Sequence, residues 1–135
     1  MHLDLMRPFR IHFGFLVIAF LSACGGDGSA SLEGFGPPRD VQVTWSANHE
    51  KVVNQAGGGY RVYYSTSPGF SVSGATFVDA PYESGPEAPT TAILPMLTSG
   101  LTYYVKVVAY SSMTFPGTST PASSNPSNEF SIKIP

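Results

Sequence analysis

Residues with reactive side chains are few in this chain. Cys24 is the only cysteine among 135 residues, so no disulfide can form within the chain. His49 lies beside Glu50 in a polar stretch, and no Gly-x-Ser-x-Gly motif is present to offer a serine nucleophile. With so little cysteine and histidine, a zinc site would depend on carboxylates, which is unusual. The sequence therefore predicts no metal site.

Two further groups that serve enzymes elsewhere lack the necessary surroundings. Glu83 and Glu87 lie in a segment rich in proline and glycine, whereas a glycosidase holds two carboxylates at a fixed separation in a cleft. The run over residues 57–59 is Gly-Gly-Gly, without the following Lys-Ser/Thr and helix of a phosphate-binding loop. Solvated charges and a flexible loop are the simpler interpretations, and we predict that the protein is not an enzyme.

The charge balance points away from nucleic acids. The chain carries 7 Lys and Arg against 9 Asp and Glu, which gives a net charge of −2. Only 12% of the residues are charged, so the chain offers no basic patch to hold a phosphate backbone. We therefore expect no nucleic-acid partner.

The residues before Cys24 suggest a role for its thiol. Arg7 and Arg10 precede an apolar run over residues 11–21, which has the length of a signal-peptide core and is too short for a transmembrane helix. The run leads into Leu21-Ser22-Ala23-Cys24. This tetrapeptide resembles the lipobox of bacterial lipoproteins. The resemblance implies cleavage before Cys24, a diacylglycerol thioether on its sulfur and acylation of the new amino terminus, with no other cofactor.

Lipidation at Cys24 would anchor the mature chain in a membrane of the bacterial cell envelope, because two or three acyl chains hold a protein firmly. In the lipoprotein family an Asp after the cysteine favours retention in the inner membrane. Here Gly25 follows, so we expect the outer membrane in an organism that has one, on its periplasmic or its outer face. We predict a signal peptide over residues 1–23, a flexible Gly/Ser-rich tether over 24–36 and one domain over 37–135.

Apolar residues recur at every second position in four segments of this domain, as is typical of half-buried strands. The segments are Val41–Trp45, Tyr60–Tyr64, Tyr103–Ala109 and Phe130–Ile134. Shorter strands are expected over Thr76–Asp79 and Thr91–Leu97, and long loops over Asn48–Gly59 and Ser111–Asn128. No segment after the signal peptide shows helical periodicity. The sequence thus predicts an all-β, antiparallel sandwich of six or seven strands.

The order of these motifs resembles the fibronectin type III domain, an immunoglobulin-like β-sandwich. The resemblance rests on Trp45, on Tyr60-x-Val62-x-Tyr64, on Leu97-x-x-Gly100-x-x-Tyr103-x-Val105-x-Val107-x-Ala109 and on Pro126-Ser127. It implies a tyrosine corner, in which the Tyr103 hydroxyl bonds to the backbone near Leu97. The expected structural core includes Trp45, Tyr60, Val62, Leu97, Tyr103, Val105 and Val107.

The first strand of that family is not evident here, because few residues separate Pro38 from Trp45. Three interpretations stay open. The strand is lost, or it is formed by Ser31–Phe35, or Arg39–Val43 is that strand and the register of the others shifts.

The loop over Ser111–Asn128 is the first candidate binding surface. It holds Met113, Phe115 and Pro116 within a polar stretch, and exposed apolar groups on a loop suggest a partner. The alternative is that Phe115 folds back and caps the sandwich.

Three tyrosines form the second candidate surface. Tyr63, Tyr104 and Tyr110 are expected on the outward faces of two neighbouring strands, where they could bind sugars or proteins. The alternative is that they form cross-strand pairs that stabilise the sheet.

The leading hypothesis is a lipid-anchored, non-catalytic binding or adaptor module that contacts an envelope protein. One alternative is a carbohydrate- or peptidoglycan-associated module that uses the same tyrosines on a polysaccharide. The other is a structural component of an envelope assembly. Resemblance of fold alone does not choose among the three.

Overall fold

The computed structural model describes residues 35–114 and 120–135, and it places seven β-strands and no helix in them. The strands are β1 (Arg39–Thr44), β2 (Gly59–Ser65), β3 (Thr76–Pro81), β4 (Thr91–Leu97), β5 (Thr102–Thr114), β6 (Pro121–Ser123) and β7 (Phe130–Lys133). β1 pairs with β4 in one sheet. In the other, β3, β2 and β5 lie side by side, and β6 and β7 both pair with β5. All pairs are antiparallel, which confirms the predicted all-β sandwich.

Several sequence-based predictions concern residues outside these two ranges. They are the signal peptide, Cys24 and Gly25, the tether as far as Gly34, and the side chains of Phe115 and Pro116. Within the described residues, no helix is long and apolar enough to cross a membrane.

The hydrophobic core lies between the two sheets and follows the period-2 alternation of the strands. Six of the seven expected core residues are buried, with at most 4% of their surface exposed: Trp45, Tyr60, Val62, Leu97, Val105 and Val107. The seventh, Tyr103, is half-buried and packs against them. Its hydroxyl accepts a hydrogen bond from the Thr98 N–H at 3.2 Å, as the resemblance to fibronectin type III domains implies. This bond gives a polar partner to a ring that reaches the core.

The small sheet contains a β-bulge next to its first residue pair. Arg39 lies opposite Leu97 and Val41 opposite Leu94, so β4 has one more residue than β1 in this interval. Met96, in the bulge, has a φ of +56°, which is uncommon for a residue other than glycine. Its N–H donates to Asp40 Oδ1 at 2.9 Å, which satisfies the donor that the bulge displaces.

From Phe35 onward, no strand precedes β1 in the described residues. Ser31–Phe35, one of the candidates for a first strand, lies almost entirely outside them.

The predicted loop over Ser111–Asn128 is wrong in its first part and in Pro121–Ser123. β5 continues to Thr114, and β6 pairs with it, with Tyr110 opposite Ser123 and Thr114 opposite Pro121. An antiparallel ribbon with solvent on its faces does not need apolar alternation. The polar residues after Ser111 therefore gave no signal that the strand continues.

Between β6 and β7 the chain leaves the sheet, and two serines complete the hydrogen bonding of β5. The Ala109 N–H donates to Ser124 Oγ at 3.0 Å, and the Ser124 N–H donates to the Ala109 carbonyl at 2.8 Å. Ser127 makes the same two bonds with Val107, both at 2.9 Å. Pro126, which has no N–H, lies between the two serines. The hydroxyls thus take the place of strand carbonyls, and β5 keeps its partners.

Candidate functional site

The β5–β6 hairpin forms the first candidate site and projects beyond the neighbouring strand. The register places Tyr110 opposite Gly59, the first residue of β2, so residues 111–114 extend past that strand. Met113 lies in this extension with 53% of its surface exposed. The other two predicted contact residues, Phe115 and Pro116, belong to the same hairpin in the sequence but lie outside the described residues.

A glycine in the loop between β1 and β2 supports the base of the hairpin. A Cβ added to Gly57 would lie 2.7 Å from the Cβ of Ser112, and Gly57 has a φ of +83°. Ser111, next to Ser112 in the chain, is buried, and its hydroxyl accepts the Met113 N–H at 3.1 Å. The loop and the hairpin are therefore in close contact, and only a residue without a side chain fits at position 57.

The same loop, expected to be merely polar and flexible, is fixed by two asparagines. Asn54 Oδ1 accepts the Ala88 N–H at 2.8 Å, and its amide nitrogen donates to the carbonyl of Asn48. The Asn48 N–H in turn donates to the buried Tyr60 hydroxyl, whose pKa is raised mainly by burial. Val53 packs into the core between the asparagines.

His49 lies in the same loop, at the end of the sandwich where the hairpin projects, and is exposed. Its Nδ1 lies 3.2 Å from the Glu87 carboxylate, and 85% of the His49 side chain is accessible to solvent. In the described parts of the chain, no three His, Cys, Asp or Glu side chains are grouped so that they could hold a metal ion.

The second candidate site is the outer face of the five-stranded sheet, where the three predicted tyrosines lie. They do not form one cluster: Tyr63 is opposite Lys106, Tyr104 is opposite Ser65, and Tyr110 is opposite Gly59. Tyr63 packs against Phe77 of β3, with ring centroids 5.3 Å apart. This is the cross-strand pairing that the sequence left open as an alternative to ligand binding.

Arg61 connects Phe77 and Tyr110 on this face. Its guanidinium lies 5.1 Å from the Phe77 ring centroid and 4.7 Å from that of Tyr110, and its Nε is 3.7 Å from Asp79 Oδ1. Burial, reinforced by Asp79, raises the pKa of Tyr110. Arg61 and Phe77 were not predicted as site residues. Their signal was that Arg61 shares the outward side of β2 with Tyr63, and that Phe77 lies opposite Tyr63 on β3.

A third site, at the opposite end of the sandwich, was not predicted. There, an open depression is lined by the rings of Tyr64, Phe70 and Tyr103 and by six Ser and Thr residues of the segment 65–76. From the sequence, Tyr64 and Tyr103 were placed in strands with apolar alternation, and no role was predicted for residues 65–75.

The loop that forms the depression is fixed by an ion pair on the outer face. Lys106 Nζ donates to the Phe70 carbonyl at 2.6 Å, lies 4.7 Å from the Phe70 ring centroid, and is 3.3 Å from Glu129. Both Glu129 oxygens accept the Gly69 N–H at 3.0 Å. That bond, together with Lys106, lowers the pKa of Glu129.

These three sites can be compared with known proteins. No family model, curated protein or solved structure matches this chain.

Proposed function

We propose that this protein is a lipid-anchored, non-catalytic adaptor of the bacterial cell envelope that binds a protein partner through the β5–β6 hairpin. The observation that carries the proposal is Met113, a large apolar side chain that is 53% exposed on a projecting hairpin. Ile93 and Met96 on the small sheet are at least as exposed, so what distinguishes Met113 is its place on a hairpin that projects beyond the neighbouring strand, where a partner can reach it.

The position of the tether relative to the hairpin supports this role. The chain comes into the sandwich at Pro37, whose carbonyl accepts the Ser99 hydroxyl at 2.6 Å, and Arg39 then pairs with Leu97. β5 begins three residues after Ser99 and runs for 13 residues, roughly 40 Å, toward the end of the sandwich where the hairpin projects. An anchor at Cys24 would thus attach at one end of the domain and leave the hairpin at the far end, accessible to a partner.

We further propose that the domain is of the fibronectin type III kind. Three features favour this assignment: the Tyr103–Thr98 bond, the pairing of β1 with the strand that precedes that tyrosine, and the central place of β2 and β5 in the larger sheet. The outer-face tyrosines are assigned a stabilising role, because Tyr63 packs on Phe77 and Tyr110 on Arg61.

Site-specific photo-crosslinking in living cells tests the adaptor role. A photoreactive amino acid is placed at Met113, at Phe115 and, as a control, at Ile93, which is 57% exposed on the small sheet. We expect one dominant protein adduct from position 113 or 115 and none of that mass from position 93.

A folded, anchored protein that gives no adduct from either hairpin position would reject the hairpin as a docking site. The same adduct from all three positions would also reject it, since the contact would then not be specific to the hairpin.

A further inference from the structure

The depression beside Tyr64 and Tyr103 has a distinctive chemical lining. Its three aromatic residues and six hydroxyl-bearing residues are accompanied by no charged side chain. Two charged residues that contact the loop, Lys106 and Glu129, pair with each other and with its backbone groups. Such a lining does not select an ionic ligand. It suits a molecule with an apolar face and a rim of hydroxyls.

Two of the aromatic residues, Tyr64 and Tyr103, pack against each other and against the core and still reach solvent. The Tyr64 and Tyr103 ring centroids are 6.3 Å apart with the ring planes inclined by 53°, and both residues are only half-buried although they lie on core-facing positions of their strands. They lie where β2 ends and β5 begins, so the inner face of the sheet opens to solvent at this edge.

The hydroxyl groups around the rings are available for new hydrogen bonds. Ser65 and Ser71 use their oxygens as acceptors for the N–H groups two residues later. Ser67, Ser73 and Thr76 are exposed. A ligand hydroxyl can therefore take the place of the water on these side chains.

The loop is also held in place before any ligand binds. A segment that contains Pro68, Gly69 and Gly74 would be expected to be mobile. Here the Glu129 carboxylate holds Gly69, while Lys106 holds the carbonyl and covers the ring of Phe70. A loop that is already ordered loses less entropy when a ligand binds, so even a shallow site can be selective.

From these observations we infer that the depression binds an uncharged pyranose saccharide, with a sugar ring against the aromatic side chains and its hydroxyls on the Ser and Thr groups. This site is separate from the hairpin and does not depend on the adaptor role. Two sources supply such a ring, an amino-sugar glycan strand and a neutral polysaccharide, and both share this chemistry.

Titration of the full-length lipidated protein in detergent micelles tests the proposal. The probes are N-acetylchitotriose for the amino-sugar source, cellotriose for the neutral source, and trigalacturonate as a charged control. We expect saturable binding of one of the first two and at least tenfold weaker binding of the charged control, because the lining holds no cation to pair with its carboxylates. The probe that binds identifies the source.

Two matched variants locate the site. Phe70→Ala should weaken binding by at least about tenfold, since it removes one of three rings. Phe77→Ala removes an exposed ring of the same type from the outer face and should change the affinity by less than about twofold.

Amide chemical shifts of the protein without substitutions locate the site even if a variant fails to fold. The largest changes on titration should fall in segment 65–76 and around Tyr103. The proposal is overturned by absence of binding of both neutral probes, by equal loss in the two variants, or by shifts centred elsewhere.

Discussion

At the scale of single residues, the contacts that organise this domain are made by side chains far apart in the sequence. Trp45, Tyr60 and Tyr103 could be assigned to the core from alternation and motif, because each lies in a strand or directly after one. Glu129 could not be linked to Gly69, since that contact spans 60 residues and depends on how β7 follows β5. The proposed binding roles of Phe70 and Tyr64 were not predicted for the same reason, since the depression forms only when segment 65–76 meets β5.

Glu129 gives the stability of the domain a defined dependence on pH. Its carboxylate accepts the Gly69 N–H and pairs with Lys106, and these contacts lower its pKa in the folded protein. The stability that it contributes is therefore present above the ordinary glutamate pKa and is lost as the pH falls through the lowered native value.

Glu129→Gln should accordingly reduce the change in unfolding free energy between pH 7 and pH 3. Chemical denaturation of both proteins at the two pH values measures this change. Glu83→Gln, in an exposed loop, serves as the control and should show the same pH dependence of unfolding free energy as the protein without substitutions. If the unfolding free energy of Glu129→Gln depends on pH as strongly as that of the protein without substitutions, the contact with Gly69 does not stabilise the fold.

At the scale of elements, the sequence predicted strands well where one face is buried. β4 has the expected bounds, Thr91–Leu97, and β1 and β2 differ from expectation by one or two residues. The prediction failed after Ser111, because the hairpin extension has no buried face to impose alternation. It also failed to see order in the loop over residues 48–58, where side-chain amides rather than strand pairing hold the backbone.

The contact between Gly57 and Ser112 makes the hairpin sensitive to one methyl group. Gly57→Ala adds a Cβ that would lie 2.7 Å from the Ser112 Cβ, on a backbone with φ of +83°. We expect a loss of about 2–4 kcal/mol in unfolding free energy, from the left-handed backbone and from the steric clash together. Urea denaturation measures it.

Gly74→Ala is the matched control, since its φ is +76° and nothing lies within 4 Å of the added Cβ. It should cost about 1–2 kcal/mol, the backbone contribution alone. If the two variants lose the same stability, the loop does not support the hairpin as described.

At the scale of the whole molecule, the point where the chain comes into the sandwich and the proposed docking site lie at opposite ends. The chain comes in beside Leu97, and the hairpin follows the far end of β5. The ten residues between Cys24 and Phe35 can span at most roughly 35 Å, so a lipid on Cys24 would hold the entry end of the domain within that distance of the membrane.

Cys24→Ser should leave the precursor uncleaved and without lipid, because the serine hydroxyl cannot form the thioether. Metabolic labelling with palmitate and intact-mass spectrometry measure both outcomes. Ser22→Ala keeps a small residue before the cysteine and should be processed normally. Normal cleavage and labelling of Cys24→Ser would exclude the lipoprotein assignment, whatever the domain binds.

The interruption between β6 and β7 affects how readily another chain can add a strand to this edge of the sheet. A long, regular edge strand is a template on which another chain can add a strand, and this leads to aggregation. Along the middle of β5, the outer neighbour is not a strand but a segment with Pro126 and two serines whose hydroxyls already serve β5. A second copy therefore finds no continuous row of backbone donors and acceptors there. This edge of the larger sheet therefore resists pairing with the edge of a neighbouring copy.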